Sequence, residues 1–446
     1  MDARRLIPVV APLTLAAGLA LIVAVTDDGD APEARPVAYP SHASDPPRAR
    51  PVPSPPEAPA AAVDRSRCLA KMTVEELGRQ LVQLRQAEAL AELYREQAPP
   101  EVARGYLQGL ADTSTALSPG VARSRLLAIA ADGLVRLGHP EAARVTLVAS
   151  RDLPPPEPSD FGFERSDFRG QAAGVAARLG DHALAQTLVE DDPEAQAALA
   201  RCYAELGDVE RARALLAATV DASGLGERVE RAAALAAAGE LEEALSLADR
   251  STLDSVLLRL EIARTLLRQE RAEQAAAVLR DAVAAMPEAP PDSDPKPEPG
   301  PESRPSRRIG PMVAMARALH EAGQPQDATQ LRERARTELR ALGDHFEALG
   351  LWPALAEATH RAGERELAWQ DLAALEAVSL SSMGAGAMTR VLLLTREGRL
   401  AEALTVIHDT AGMPYPLAYA HVHAALHEPD PEVERELDRG LRSFCP

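Results

Sequence analysis

The chain has no asparagine, only two lysines (Lys71 and Lys296) and three cysteines, and aromatic residues make up just 3% of its 446 positions. Each shortage excludes something. Without Asn there is no N-glycosylation sequon, and Gly is left as the main residue suited to left-handed turns. So few aromatic rings argue against an all-β sandwich and against a base-stacking platform. The net charge of −19 offers no basic surface for neutralising phosphates, so no nucleic-acid partner is expected. No P-loop, G-x-G-x-x-G, G-x-S-x-G or H-E-x-x-H occurs, which leaves no recognisable catalytic frame and calls for no cofactor. The expectation is a non-enzymatic protein. Cys68, Cys202 and Cys445 lack the C-x-x-C spacing of zinc or redox sites, and an odd count leaves at least one unpaired. Buried, inert thiols are expected. Pairing of Cys68 with Cys445 is not, because an open solenoid holds its ends apart.

What is present begins at the amino terminus. Leu6 to Val25 is an uncharged, mostly apolar run, preceded by Arg4 and Arg5 and followed by Asp27, Asp28 and Asp30. At about 1.5 Å per residue it spans roughly 30 Å, the thickness of a bilayer's hydrocarbon core. The positive-inside bias keeps residues 1–5 in the cytoplasm and places the rest of the chain on the periplasmic or extracellular side. The favoured reading is a single-pass signal anchor at 6–25 in a bacterial-type cell membrane. The alternative is a cleaved signal peptide, disfavoured by a run longer than the usual ~7–15 residue apolar region and by the lack of an A-x-A triplet.

Residues 26–66 read as a disordered, proline-rich linker, with ten prolines between Ala31 and Ala62. A second such stretch, 287–311, divides the remainder into 67–286 and 312–446, and a short one lies at Leu153–Ser159. These segments have no helical period and suit extended polyproline tethers.

Between them a spacing recurs: Ala, seven residues to Gly, five more to Ala. It reads Ala131–Gly138–Ala143, Ala173–Gly180–Ala185, Ala200–Gly207–Ala212, Ala232–Gly239–Ala244, Ala316–Gly323–Ala328 and Ala356–Gly363–Ala368. Two degenerate copies are Ala263–Glu270–Ala275 and Val391–Gly398–Ala403. Gly supplies the left-handed cap that stops one helix and turns the chain into the next. The small residues let two antiparallel helices cross closely, and Leu147, Val189, Leu216, Leu279, Leu372 and Ile407 keep the core stripe in register. Flanking helices are expected at Met72–Gln97, opening on a Thr73–Glu76 capping box, at Pro100–Ala116, at Pro416–His427 and at Pro431–Ser443.

The triplet resembles the tetratricopeptide repeat, whose helix–turn–helix unit carries small residues around a central Gly. Tyr203 matches the aromatic of that unit's first helix, and Pro155 and Pro287 match its closing proline. The resemblance implies an all-α, right-handed helix-hairpin solenoid that works as a scaffold or adaptor for a protein or peptide partner. It also implies that first-helix residues line the concave face. Two positions before the Gly, or before its replacement Glu270, stand Arg136, Arg178, Arg268, Arg361 and Arg396; six before it stand Arg201, Arg264 and Arg317. These eight arginines form a candidate groove for acidic segments of a partner, or, if the chain is cleaved and soluble, for a small anionic ligand. Helix dipoles alone also favour cations at helix ends, by about 0.3–1 kcal/mol. His423 and His427, four apart, are weak metal candidates with no third ligand, so no metal is assigned.

Overall fold

The computed structural model describes residues 60–442 except 78–83, 118–120, 152–164, 191, 219–223, 249–251, 287–304, 343–347, 379–382 and 411–414, together with residue 444. The expected anchor at 6–25 and the 153–159 stretch lie outside the described residues. Among the described residues no helix is long and apolar enough to cross a membrane. They form helices and no strand.

In chain order these are α1 (Ala60–Leu77), α2 (Leu84–Gln97), α3 (Pro100–Thr115), α4 (Val121–Arg136), α5 (Pro140–Arg151), α6 (Arg165–Arg178) and α7 (His182–Val189). Then come α8 (Pro193–Glu205), α9 (Val209–Ala218), α10 (Leu225–Ala237), α11 (Leu241–Ser246), α12 (Leu253–Arg268), α13 (Ala272–Ala284) and α14 (Pro305–Glu321). The last are α15 (Pro325–Leu342), α16 (Ala348–Arg361), α17 (Arg365–Val378), α18 (Met383–Arg396), α19 (Leu400–Asp409), α20 (Tyr415–Ala424) and α21 (Pro431–Leu441).

The hairpins form where the triplets stand. Gly138, Gly180, Gly207, Gly239, Gly323, Gly363 and Gly398 all have positive φ, between +70° and +88°. Glu270, standing where the eighth Gly would be, adopts the same region at φ +61°. After each of these eight positions the next backbone N–H reaches back to a carbonyl in the last turn, as in His139 N to Leu134 O and Asp208 N to Tyr203 O. That is the six-to-one bond of a Schellman cap. Every Ala of the triplets, and Val391, is fully buried. Side chains this small bring the helix axes close, and the hairpins stack as an α-helical repeat solenoid.

The stack does not stay open. Each even-numbered helix from α2 to α18 packs on the next even-numbered one, and α20 packs back on α2 and on α1. These ten helices form a closed inner ring, backed by the odd-numbered helices from α3 onward. Two apolar cores sustain it. One runs from Ala128 to Leu393 and crosses the proline-rich insert, so residues on both sides of 287–304 share it. The other joins residues 69–143 to residues 388–441 across the meeting of the two ends. Solenoid ends held apart, the premise against pairing Cys68 with Cys445, are therefore not what the chain forms.

Other expectations shift at element boundaries. The described parts of Met72–Gln97 fall in α1 and α2, with 78–83 outside the described residues. Thr73 is not a cap but an interior residue of α1, its hydroxyl donating to Leu69 O at 2.7 Å. Helix α1 starts at Ala60, inside the range read as linker, because Ser66, Leu69 and Ala70 find buried places in the ring. Helix α14 starts at Pro305, inside the second proline stretch. Burial of Ile309 and Met312 holds its described N-terminal part in the core. Pro311 sits within that helix.

Candidate functional site

The ring turns a defined set of side chains inward, and charge dominates it. Arg201 on α8 reaches Glu230 on α10 at 3.3 Å and Glu261 on α12 at 3.4 Å. Arg268 on α12 reaches back to Glu205 on α8 at 3.7 Å. Side chains from helices two places apart can meet only across a concave surface, so these residues mark the inner face.

All eight arginines of the expected groove lie in this network, in two arcs. In the first, Arg136 and Arg178 share Asp132 at 2.8 and 2.7 Å, and Arg178 also approaches Glu205 at 3.8 Å. Arg201 pairs as above, while Arg264 and Arg268 both face Glu261, at 3.6 and 3.5 Å. In the second arc Arg317 pairs with Glu321 at 2.8 Å, Arg361 with Glu357 at 3.0 Å, and Arg396 with the same Glu357 carboxylate. Arg317 and Glu357 are buried; Arg178, Arg201, Arg264, Arg361 and Arg396 are half-buried; Arg136 is exposed.

The electrostatics follow from crowding. Burial alone would raise the Glu357 carboxyl, but Arg396, Arg361 and Arg317 hold it below the usual carboxylate range. Burial likewise opposes ionisation of Glu261, and Arg268, Arg264 and Arg201 reverse it. Glu230, Glu261 and Glu205 raise the Arg201 guanidinium against its own desolvation. His421, half-buried beside this second arc, is pushed down to about 4 by burial and by Arg396. The charged forms of Glu261, Glu357 and Arg201 are thereby favoured, as is the neutral form of His421.

Spacing from the repeat Gly predicts the arginines but misses their carboxylates, and a signal for them is present. Asp132 and Glu357 stand six positions before their Gly, where other repeats carry Arg201 and Arg317. Glu205 and Glu321 stand two before it, where others carry Arg136 and Arg361. Each of these four helices therefore pairs one acid with one base at i,i+4, the spacing that brings side chains together on a helix face. Helix α12 breaks the rule with Arg264 and Arg268, and Glu261 supplies the missing carboxylate.

The two histidines are not brought together. His423 is buried on α20, its Nδ1 3.1 Å from the Tyr94 hydroxyl. His427 lies beyond the end of α20 and is exposed. Among the described residues no group of three potential ligands gathers anywhere. Cys202 is free and buried, its thiol donating to Gly174 O at 3.4 Å and pushed up by burial.

No family model matches the chain, and no curated protein matches it. Among solved structures it is similar to one described as "Circular tandem repeat protein with novel repeat topology and enhanced subunit contact surfaces". That match is 15% identical, covers 86% of this chain and 82% of the other, and has a TM-score of 0.18. At such values the likeness adds nothing to the closed ring, which rests on this chain's own contacts.

Proposed function

We propose that this chain is a non-enzymatic scaffold of the tetratricopeptide-like, right-handed kind, tethered by residues 6–25 outside the cytoplasm of a bacterial-type cell. Its inner face takes an extended, charged segment of a protein partner. The observation that carries the reading is the pairing of arginines with carboxylates along the inner face, with both members on the same helix in α4, α8, α14 and α16. The more exposed of these pairs, such as Arg268 with Glu205, are worth about 0–1 kcal/mol each, so a partner can exchange with them at little cost. A segment bearing both signs can replace both members of a pair. Ten helices at the ~8–10 Å spacing of packed neighbours bound an opening of roughly 15–20 Å once side chains are allowed for. That admits an extended strand or a single helix and excludes a folded domain. A disulfide at Cys68 supports the extracytoplasmic address, since such bonds persist in oxidising compartments.

The test is capture from solubilised membranes by the crosslinked full-length chain and by a variant with Arg201, Arg264 and Arg317 changed to Gln. Weaker capture by the variant, with helicity by circular dichroism retained, is expected. Equal capture at low salt would remove the inner face from the reading. Intact mass of the mature chain tests the tether: loss of about 24 residues would replace the anchored protein with a soluble one.

A further inference from the structure

Away from the inner face, α13 and α15 both pack on α14, and a cavity of about 310 Å³ lies between them. Leu319 of α14 and Leu331 of α15 line it and are buried, with half-buried Val283 of α13 beside them. Arg280 of α13 and Arg334 and Asp327 of α15 complete its charged lining. Both walls are second helices of their hairpins, so their levels can be counted from the last Ala of each triplet. Arg280 follows Ala275 by five residues and Arg334 follows Ala328 by six, which puts the two within about 1.5 Å of one level on facing walls. Leu331 stands about 4.5 Å nearer the hairpin turn, and Asp327 about 6 Å beyond it. The groove therefore runs from base, through an apolar stretch, to acid.

The two arginines have donors to spare. Arg280 is exposed and has no partner among the described residues. Arg334 meets only Glu338, through its Nε at 3.4 Å, and the other oxygen of that carboxylate is held by Arg308 at 3.0 Å. The terminal nitrogens of Arg334 are thus without an acceptor among the described residues. We propose that this groove binds a small amphiphilic monoanion, an alkyl carboxylate. Its carboxylate sits between Arg280 and Arg334, and its chain lies over Leu331 and Leu319.

Each part of the groove selects one part of this ligand. A guanidinium grips a carboxylate through paired, charge-assisted hydrogen bonds, and two of them on facing walls converge on one anion. The leucines supply apolar area that only an alkyl chain can use. Asp327 closes the other end to a second negative charge, which disfavours dicarboxylates and polyacidic peptides. The volume lies at the lower end of the ~300–1,000 Å³ typical of ligand sites, enough for a short chain and too little for a folded partner. The site is separate from the inner face, and the proposal stands whatever that face takes.

The experiment is calorimetric titration of the purified full-length chain with sodium hexanoate, octanoate and decanoate. Affinity is expected to rise on the order of tenfold for each added pair of methylenes, and decanol should bind at least about tenfold more weakly than decanoate. Changing Arg280 and Arg334 together to Gln should weaken decanoate on the order of tenfold or more, with helicity retained. The difference between that variant and the parent isolates the groove from alkyl chains taken up elsewhere. Arg280→Gln alone, at an exposed position, should show part of the loss in a chain whose fold is not at risk. The inner-face variant with Arg201, Arg264 and Arg317 changed to Gln should bind decanoate like the parent, so the two sites fail independently. Equal affinity for hexanoate and decanoate, or for the parent and the Arg280/Arg334 variant, would overturn the proposal. Displacement of decanoate by an equimolar hexaglutamate peptide would also overturn it, by giving the groove to acidic segments.

Discussion

Glu270 is the one residue other than Gly at positive φ among the described residues. An L-residue in the left-handed region carries a cost of roughly 1–2 kcal/mol from the contact between its Cβ and the following carbonyl. Its seven counterparts avoid that cost because they are Gly. Glu270→Gly is therefore expected to raise stability by about 1 kcal/mol, part of the gain being returned as backbone entropy of the unfolded chain. Urea unfolding should show a higher midpoint with an unchanged slope; an unchanged or lower midpoint would mean that the Glu270 turn is not strained. The position is legible in the amino-acid sequence itself, since the degenerate triplet Ala263–Glu270–Ala275 keeps both alanines and lacks only the Gly. The charges of the inner face are half legible in the same way. Arginines stand out in a chain with two lysines, whereas Asp132, Glu205, Glu230, Glu261, Glu321 and Glu357 are camouflaged by a surface already rich in carboxylates. Only their placement relative to the Gly distinguishes them.

At the scale of helices, the alanines do for the crossings what the glycines do for the turns. Ala200 on α8 and Ala212 on α9 are fully buried, on two helices that pack on each other, and each brings only a methyl group to the interior. Ala200→Leu is expected to destabilise the protein by about 1–3 kcal/mol through overpacking. Ala217→Leu on the exposed face of α9 should stay within about 0.5 kcal/mol. Thermal denaturation of the two variants side by side checks this, and equal shifts would show that small size at 200 is not required. Helix interiors and turns are thus readable from spacing, but helix starts are not. Thr73 followed by Glu76 has the pattern of a cap, and Thr73 instead lies inside α1 with its hydroxyl bonded to Leu69 O. Local patterns such as this compete with burial of the preceding Ser66, Leu69 and Ala70, and tertiary packing prevails. The same competition carries α14 through Pro305 to Pro311 despite their propensity.

Ring closure belongs to the whole molecule, and no local pattern encodes it. Arg65 and Asp438 are 373 residues apart, and their meeting depends on the summed rotation of ten hairpins, each with its own loop length. The seam does, however, contain a titratable reporter. His423 is 2% exposed; burial, with Arg65 adding repulsion, pushes its pKa down to about 4, against a partial offset from the Ala62 backbone. The folded ring therefore keeps this imidazole neutral, its Nδ1 facing the Tyr94 hydroxyl, while the unfolded chain protonates it near pH 6.5. Between those values the unfolded state binds the extra proton, so stability falls as pH drops from about 6.5 to about 4 and then levels off. The shift corresponds to about 3 kcal/mol at 1.36 kcal/mol per pH unit. His421 titrates in the same window, so the His423 share is isolated by difference. A His423→Phe variant should lose about that much of the pH dependence measured by urea unfolding between pH 7 and pH 4, whatever its stability at pH 7. Parallel pH profiles for the two proteins would mean that His423 is already solvated, and that the seam around it stands open in solution.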